Sequence, residues 1–152
     1  MREPSGVFVR PPAVIGRKIR CAVVGCGRIS ANHFESIEAH ATDLELVGVA
    51  DIDDAALIRA TARTGAPGFP SLSALLAGCD PDLVILATPS GLHAAMAIEV
   101  AAARRHVMTE KPMATRWQDG KRMVAACDAA GVRLFVVKQN RRNATLQLLK
   151  RA

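Results

Sequence analysis

A chain of 152 residues that is 50% hydrophobic, with no internal repeat, suffices for the core of one domain. No run of 18 apolar residues occurs, and the first 18 residues carry Arg2, Glu3, Arg10, Arg17 and Lys18 where a secretory signal would be apolar, so the expectation is a cytoplasmic protein without a membrane partner. The net charge of +6, from 20 basic and 14 acidic residues, suits an anionic ligand; with no tyrosine, four phenylalanines and one tryptophan, the chain lacks the stacking surfaces of single-strand nucleic-acid binders.

Residues 1–18, which include Pro4, Pro11 and Pro12, read as a flexible leader. An apolar run over 19–24 predicts the first strand, followed by the turn Gly25-Cys26-Gly27-Arg28 and a helix over 29–39. A second strand over 44–50 stops at Asp51, and Asp53 or Asp54 is placed to cap a helix over 54–64. A short extra strand near Phe69 and a helix over 72–77 come next, then a strand over 83–87 and a helix over 94–104 with Met96, Val100 and Ala103 on one face. A strand over 106–109 leads to a helix over 116–130, opened by a capping box of Thr115 and Gln118 and ended by Gly131. The last strand is expected over 133–137, and residues 143–152 begin a helix leading out of the domain.

Strands that are apolar on both faces, alternating with helices, imply an α/β fold: a doubly wound parallel sheet of the Rossmann type over 19–142. Cys21, Cys26, Cys79 and Cys127 lie inside these apolar or helical segments with no Cys-x-x-Cys pair and no histidine at ligand spacing. They read as reduced core residues, with no disulfide framework and no metal site.

In the turn after the first strand, Gly25 permits a tight bend and Gly27 lets backbone approach a diphosphate at the helix start. Ser30 stands where a third glycine is usual, a position that needs a small residue for close packing. Asp51 ends the second strand, where its carboxylate can accept from the hydroxyls of an adenosine ribose. Asp53 and Asp54 follow with no basic residue before Arg59, which favours NAD over a 2'-phosphorylated cofactor. Three more polar clusters follow later strands: Thr88-Pro89-Ser90-Gly91-Leu92-His93, Glu110-Lys111-Pro112 and Lys138-Gln139-Asn140-Arg141. In an open parallel sheet they share one rim.

A Gly-x-Gly turn, a strand-ending Asp, a Thr-Pro-x-x-x-His loop and a Glu-Lys-Pro motif, in this order over about residues 19–152, resemble the N-terminal domain of the Gfo/Idh/MocA oxidoreductases. Glu-Lys-Pro is the most specific of the four, since the glycine turn is shared by many oxidoreductases. Within the family, Glu110-Lys111-Pro112-Met113-Ala114-Thr115-Arg116-Trp117 and Val137-Lys138-Gln139-Asn140-Arg141-Arg142-Asn143 look most like the UDP-N-acetylglucosaminuronate 3-dehydrogenases of bacterial lipopolysaccharide biosynthesis. The resemblance implies oxidation of a sugar 3-hydroxyl by hydride transfer to NAD, with a UDP-sugar as substrate and 2-oxoglutarate to reoxidise the bound cofactor.

Carried over by position, Lys111 is the catalytic residue, hydrogen-bonding the reacting hydroxyl and stabilising charge as its proton leaves. The cofactor falls to Gly25, Gly27, Arg28, Ile29, Asp51, Thr88, Ser90, His93, Glu110, Lys111 and Gln139, with Ser90, His93 and Glu110 on the nicotinamide half. Lys111, Asn140 and Arg141 face the sugar. His33, His40 and His106 read as helix-surface or packing residues, and Trp117 either packs beside the cofactor or fills the core.

Family members are about twice this length, and their second α/β domain supplies an Asp-x-x-x-His motif that is absent after Lys111. The expectation is therefore a fragment: an NAD-binding domain inactive alone, oligomeric only with the second domain. Three rival readings stay open. One is a stand-alone nucleotide-binding or redox-sensing module, one is another Gfo/Idh/MocA sugar or inositol dehydrogenase, and the third is a basic nucleic-acid binder recognisable by strongly salt-dependent binding.

Overall fold

The computed structural model describes residues 14–151; residues 1–13 of the expected leader and residue 152 lie outside them. Six strands, β1 (Ile19–Val24), β2 (Leu44–Ala50), β3 (Gly68–Phe69), β4 (Leu83–Leu86), β5 (His106–Thr109) and β6 (Leu134–Val136), form one sheet in the order β3-β2-β1-β4-β5-β6. Every neighbouring pair is parallel. The chain builds outward from β1 to β3, returns to the centre at β4, and builds the other way. The order therefore reverses between β1 and β4, the crevice where ligands of such sheets bind.

Helices α1 (Ser30–Ala39), α2 (Asp54–Thr64), α3 (Leu72–Gly78), α4 (His93–Ala102), α5 (Trp117–Ala130) and α6 (Ala144–Arg151) make the crossovers and the final segment. Alternate residues of β1 serve two cores, as a period of two requires. Cys21 and Val23 pack with Phe34 and Ile37 of α1 and Ala56 and Ala60 of α2. Ala22 and Val24 pack with Leu72 and Leu75 of α3, Val100 of α4 and Met123 and Cys127 of α5. Among the described residues no helix is long and apolar enough to cross a membrane.

The helix ends show which local signals act. Asp53 caps α2 by accepting from the N–H groups of Ala55 and Ala56 at 2.9 and 3.3 Å, and Gly131 closes α5 in the left-handed conformation at φ 69°. The expected Thr115 capping box is not formed. Arg116 stays extended at the helix boundary, with φ −128° and ψ 141°, so α5 starts one residue later than the box needs and has no side-chain cap. Helix α4 begins at His93 and ends at Ala102, with Arg104 at φ 59° turning the chain out, which leaves Ala103 beyond its last turn.

At the amino end of the sheet, Asp82 accepts from the Arg20 N–H at 2.8 Å and from the fork of Arg17 at 2.5 and 2.8 Å. Arg17, inside the expected leader, is thus tied to the residue that opens β4. The Arg17 guanidinium holds the Asp82 carboxyl well below the usual carboxylate range, helped by the Arg20 N–H and guanidinium.

Candidate nucleotide and substrate site

All candidate site residues named from the sequence follow the carboxyl ends of strands, and the parallel pairing brings those ends to one edge. Gly25 leaves β1 at φ 93°, donates its N–H to the Ala50 carbonyl at 2.8 Å, and lies beside Ala87, whose N–H donates to the Val24 carbonyl at 2.8 Å. A Cβ on Gly25 would stand 2.8 Å from the Ala87 carbonyl and the Thr88 nitrogen, too close for any side chain. At Gly27 a Cβ would meet nothing within 4 Å, so this position faces open space. Ser30 is 2% exposed and its hydroxyl donates to the Gly27 carbonyl at 2.6 Å, so a small residue does fit where the third glycine is usual. No side chain caps the start of α1, which leaves that end of the helix to an anion.

Asp51 stands across the turn. Its Oδ2 accepts from the Cys26 N–H at 2.6 Å and its Oδ1 from the Asp53 N–H at 2.9 Å, while its own N–H donates to the Phe69 carbonyl at 3.2 Å. The carboxylate thereby fixes the glycine turn to the end of β2. Each oxygen retains a lone pair for a ribose hydroxyl.

A cleft of about 720 Å³ opens over this turn, lined by Gly25, Gly27, Arg28, Ile29, Asp51 and Thr88 among the foreseen residues. Its volume falls in the ordinary range for cofactor pockets. Ile52, Ser71, Ser73, Met96 and Glu99 also line it and were not foreseen. Ile52 is 88% exposed beside Asp51, an apolar surface with no partner in the fold itself. Ser71 caps α3 through the Ala74 N–H at 3.1 Å, and Ser73 donates to Glu99 Oε1 at 2.6 Å, joining α3 to α4 at the cleft wall. Helix docking, of α3 for Ser71 and Ser73 and of α4 for Met96 and Glu99, brings these residues here, and no local pattern announces that. A second groove, of about 780 Å³, lies along α5 between Met113, Trp117 and Val124, away from the glycine turn. Trp117, 78% exposed there, neither fills the core nor lines the cofactor cleft.

The Lys111 loop lies further along the same edge. Glu110 continues the pairing past β5 by donating its N–H to Leu86 at 3.0 Å, and its side chain turns back under the loop, where Oε2 accepts from the Lys111 N–H at 3.2 Å. Lys111 is exposed, and the Lys111–Pro112 peptide is cis. His93 is fully buried, with Nδ1 3.0 Å from the Pro112 carbonyl and Nε2 2.9 Å from the Thr88 carbonyl. Both ring nitrogens are turned to backbone, so His93 lies beneath the site and ties its two loops together; it does not face the cleft.

Ser90 sits half-buried in a short 3-10 turn, and Gln139, Asn140 and Arg141 are exposed in another that follows β6. Neither these four nor Lys111 and Glu110 line the cleft. His33, expected as a helix-surface or packing residue, packs with its Nε2 3.0 Å from Glu110 Oε1 across 77 residues of sequence. Helical spacing could not reveal a partner that distant. His40, exposed with Nδ1 2.9 Å from the Ser36 carbonyl, is a helix-surface residue, and His106, whose Nδ1 accepts from the Arg133 N–H at 3.1 Å, is a packing residue, in line with the expectation for both.

Comparison with known proteins adds three findings. Residues 19–138 match the GFO_IDH_MocA family model, described as an oxidoreductase family with an NAD-binding Rossmann fold. The WlbA dehydrogenases of Chromobacterium violaceum and Bordetella pertussis, both solved with NADH and UDP-GlcNAcA, are 62% and 63% identical with TM-scores of 0.92 and 0.90. They match 96% and 92% of this chain and 42% of their own chains. Inositol 2-dehydrogenase 3 of Saccharopolyspora erythraea is 32% identical over 82% of this chain and 37% of its own length. The chain thus spans about two fifths of the relatives it matches.

Proposed function

This chain belongs to the Gfo/Idh/MocA oxidoreductase family as its NAD-binding Rossmann domain, and on that premise we propose that it serves the oxidation of a UDP-N-acetylglucosaminuronate-like sugar at its 3-hydroxyl. The observation that carries the proposal is the cleft built by Gly25, Gly27 and Asp51 in a chain 62% identical to a dehydrogenase solved with NADH and UDP-GlcNAcA. The same chain is only 32% identical to the inositol dehydrogenase, which favours the sugar nucleotide over an inositol.

The residues fit the cofactor. Gly27 leaves room for a diphosphate against the uncapped start of α1, and Asp51 has acceptor capacity for the ribose. Asp53, occupied in capping α2, and Asp54 keep the same corner negative, which disfavours a 2'-phosphate. When bound, NAD supplies the hydride acceptor. The chain's own part is positioning and charge. Lys111, exposed at the edge, donates to the sugar hydroxyl and stabilises the oxygen as its proton departs. Ser90 and Glu110 flank the nicotinamide half, Gln139 reaches toward cofactor or sugar, and Asn140 and Arg141 meet the sugar nucleotide. Reoxidation by 2-oxoglutarate, assembly into oligomers and a cytoplasmic location complete this reading.

Calorimetry tests it. NAD and NADH bind the 152-residue chain, and NADP binds more weakly. With NADH saturating, UDP-GlcNAcA shifts the backbone resonances of Lys111, Asn140 and Arg141, whereas myo-inositol does not. No heat with either oxidation state of NAD overturns the cofactor assignment, and equal shifts with myo-inositol overturn the sugar-nucleotide assignment.

A further inference from the structure

One buried contact between the cofactor cleft and the Lys111 loop has no part in the chemistry above. His33 lies in the first turn of α1, the turn that opens beside Gly27 and would face a diphosphate. Its Nε2 lies 3.0 Å from Glu110 Oε1, and the two side chains are 12% and 11% exposed. The other oxygen of Glu110 accepts from the Lys111 N–H, and the Glu110 backbone is held to Leu86 of β4. A carboxylate this enclosed needs a donor to remain in place, and among the described residues His33 is the only side chain recorded against it. The contacts therefore run without a break from the start of α1, through the imidazole and the carboxylate, to the amide of Lys111.

We propose that His33 is a positioning residue: acting through Glu110, it sets where the Lys111 backbone stands and couples the seating of an anion at the start of α1 to the placement of that lysine. The coupling rests on the NAD reading of the cleft; the link from His33 to Lys111 does not. A contact serving stability alone would alter the unfolding free energy and leave the Lys111 amide as it is. A positioning pair must be visible at that amide.

Facing a carboxylate, which only accepts, the imidazole donates from Nε2, as the Nε2–H tautomer or as the doubly protonated ring, so a glutamine amide can replace its function where alanine cannot. The experiment compares 15N-labelled wild-type chain, His33→Gln and His33→Ala at one pH, reading backbone amides by NMR with and without NADH. Without ligand, the Lys111 amide exchanges about tenfold faster in His33→Ala, as loss of roughly one hydrogen bond requires, and close to the wild-type rate in His33→Gln. Adding NADH moves the Lys111 resonance in wild type and His33→Gln and leaves it fixed in His33→Ala, although the Gly25 and Gly27 amides respond in all three. Equal Lys111 exchange in the three proteins overturns the proposal, as does a Lys111 resonance in wild type that ignores NADH while Gly25 and Gly27 respond. If His33→Ala does not fold, His33→Gln decides: a Lys111 amide that no longer matches wild type overturns the proposal. Silence of Gly25 and Gly27 toward NADH strikes the cofactor reading instead, and the ligand-free exchange rates still decide the link to Lys111.

Discussion

Gly25 is pressed against Ala87: a Cβ added to the glycine would stand 2.8 Å from the carbonyl carbon and oxygen of that residue. The contact is backbone to backbone, where the end of β1 passes the end of β4, so no side-chain rotation relieves it. Gly27, two residues on, has nothing within 4 Å of the same imaginary atom. The two glycines are therefore separable: Gly25 is required by the fold, and Gly27 is left open for its proposed place against the diphosphate.

Alanine at each position exposes the difference. Gly25→Ala adds a steric clash to a backbone at φ 93°, and should lower the unfolding free energy by about 2 kcal/mol or more. Gly27→Ala should leave stability within about 0.5 kcal/mol, yet weaken NAD binding at least about tenfold because the methyl group occupies the diphosphate's approach. Urea unfolding and calorimetry on both variants check this. Equal NAD affinity in Gly27→Ala and wild type removes the diphosphate from that turn.

The fold was legible wherever a strong local signal coincided with a packed boundary. β1, β2 and β5 have the bounds their apolar runs predict, and Gly25, at φ 93°, turns the chain at the end of β1. The Thr115 box failed because a capping motif is a competition between conformations, and the loop after the Lys111–Pro112 bond keeps Arg116 extended. Half of the cleft was legible for the same reason as the strands, since Gly25, Gly27 and Asp51 lie next to strand ends. Ser73, Met96 and Glu99 reach it through helix docking, and His33 reaches Glu110 across the sheet edge. Those are tertiary relations with no period to read. His93 was identifiable as special, but its motif does not say that it points inward.

Asp51 carries a structural load besides its proposed contact with the ribose. Asp51→Asn keeps the shape but leaves one of the two backbone N–H groups, Cys26 or Asp53, facing an amide donor, and should cost about 1 kcal/mol of stability. Affinity for NAD should fall about tenfold, the loss of one good polar contact, without a gain for NADP because Asp53 and Asp54 remain. Paired titrations with NAD and NADP decide it, and a variant that prefers NADP contradicts the assigned corner.

Burial predicts opposite behaviour at His93. Replacing it with alanine empties a fully enclosed site and strands the carbonyls of Thr88 and Pro112, a change expected to cost about 3 kcal/mol. Folded His93→Ala at low temperature should nonetheless bind NAD within about threefold of wild type, since the ring does not line the cleft. A tenfold loss of affinity with unchanged stability would show the ring touching the cofactor after all.

The buried thiols predict a loss of stability at alkaline pH. Burial pushes Cys21, Cys26 and Cys127 up to about 11 each, with the nearby carboxylates of Asp82, Asp51 and Asp128 adding to the effect. In the unfolded chain a thiol ionises near 8.5, so the unfolded state loses these protons first. The three thiols' contribution is fully present below about pH 8.5 and is lost as pH rises through the folded values near 11. With no tyrosine in the chain, no phenol titrates in this window to mask the trend. The unfolding free energy of the wild-type chain, read from urea titrations, should therefore fall steadily between pH 8.5 and 11, by a total on the order of a few kcal/mol. A triple variant, Cys21→Ala with Cys26→Ala and Cys127→Ala, should begin from lower stability because it carries cavities, yet show a much flatter pH profile. Parallel slopes for the two proteins would place the alkaline sensitivity in other groups and leave the buried thiols without a part in it.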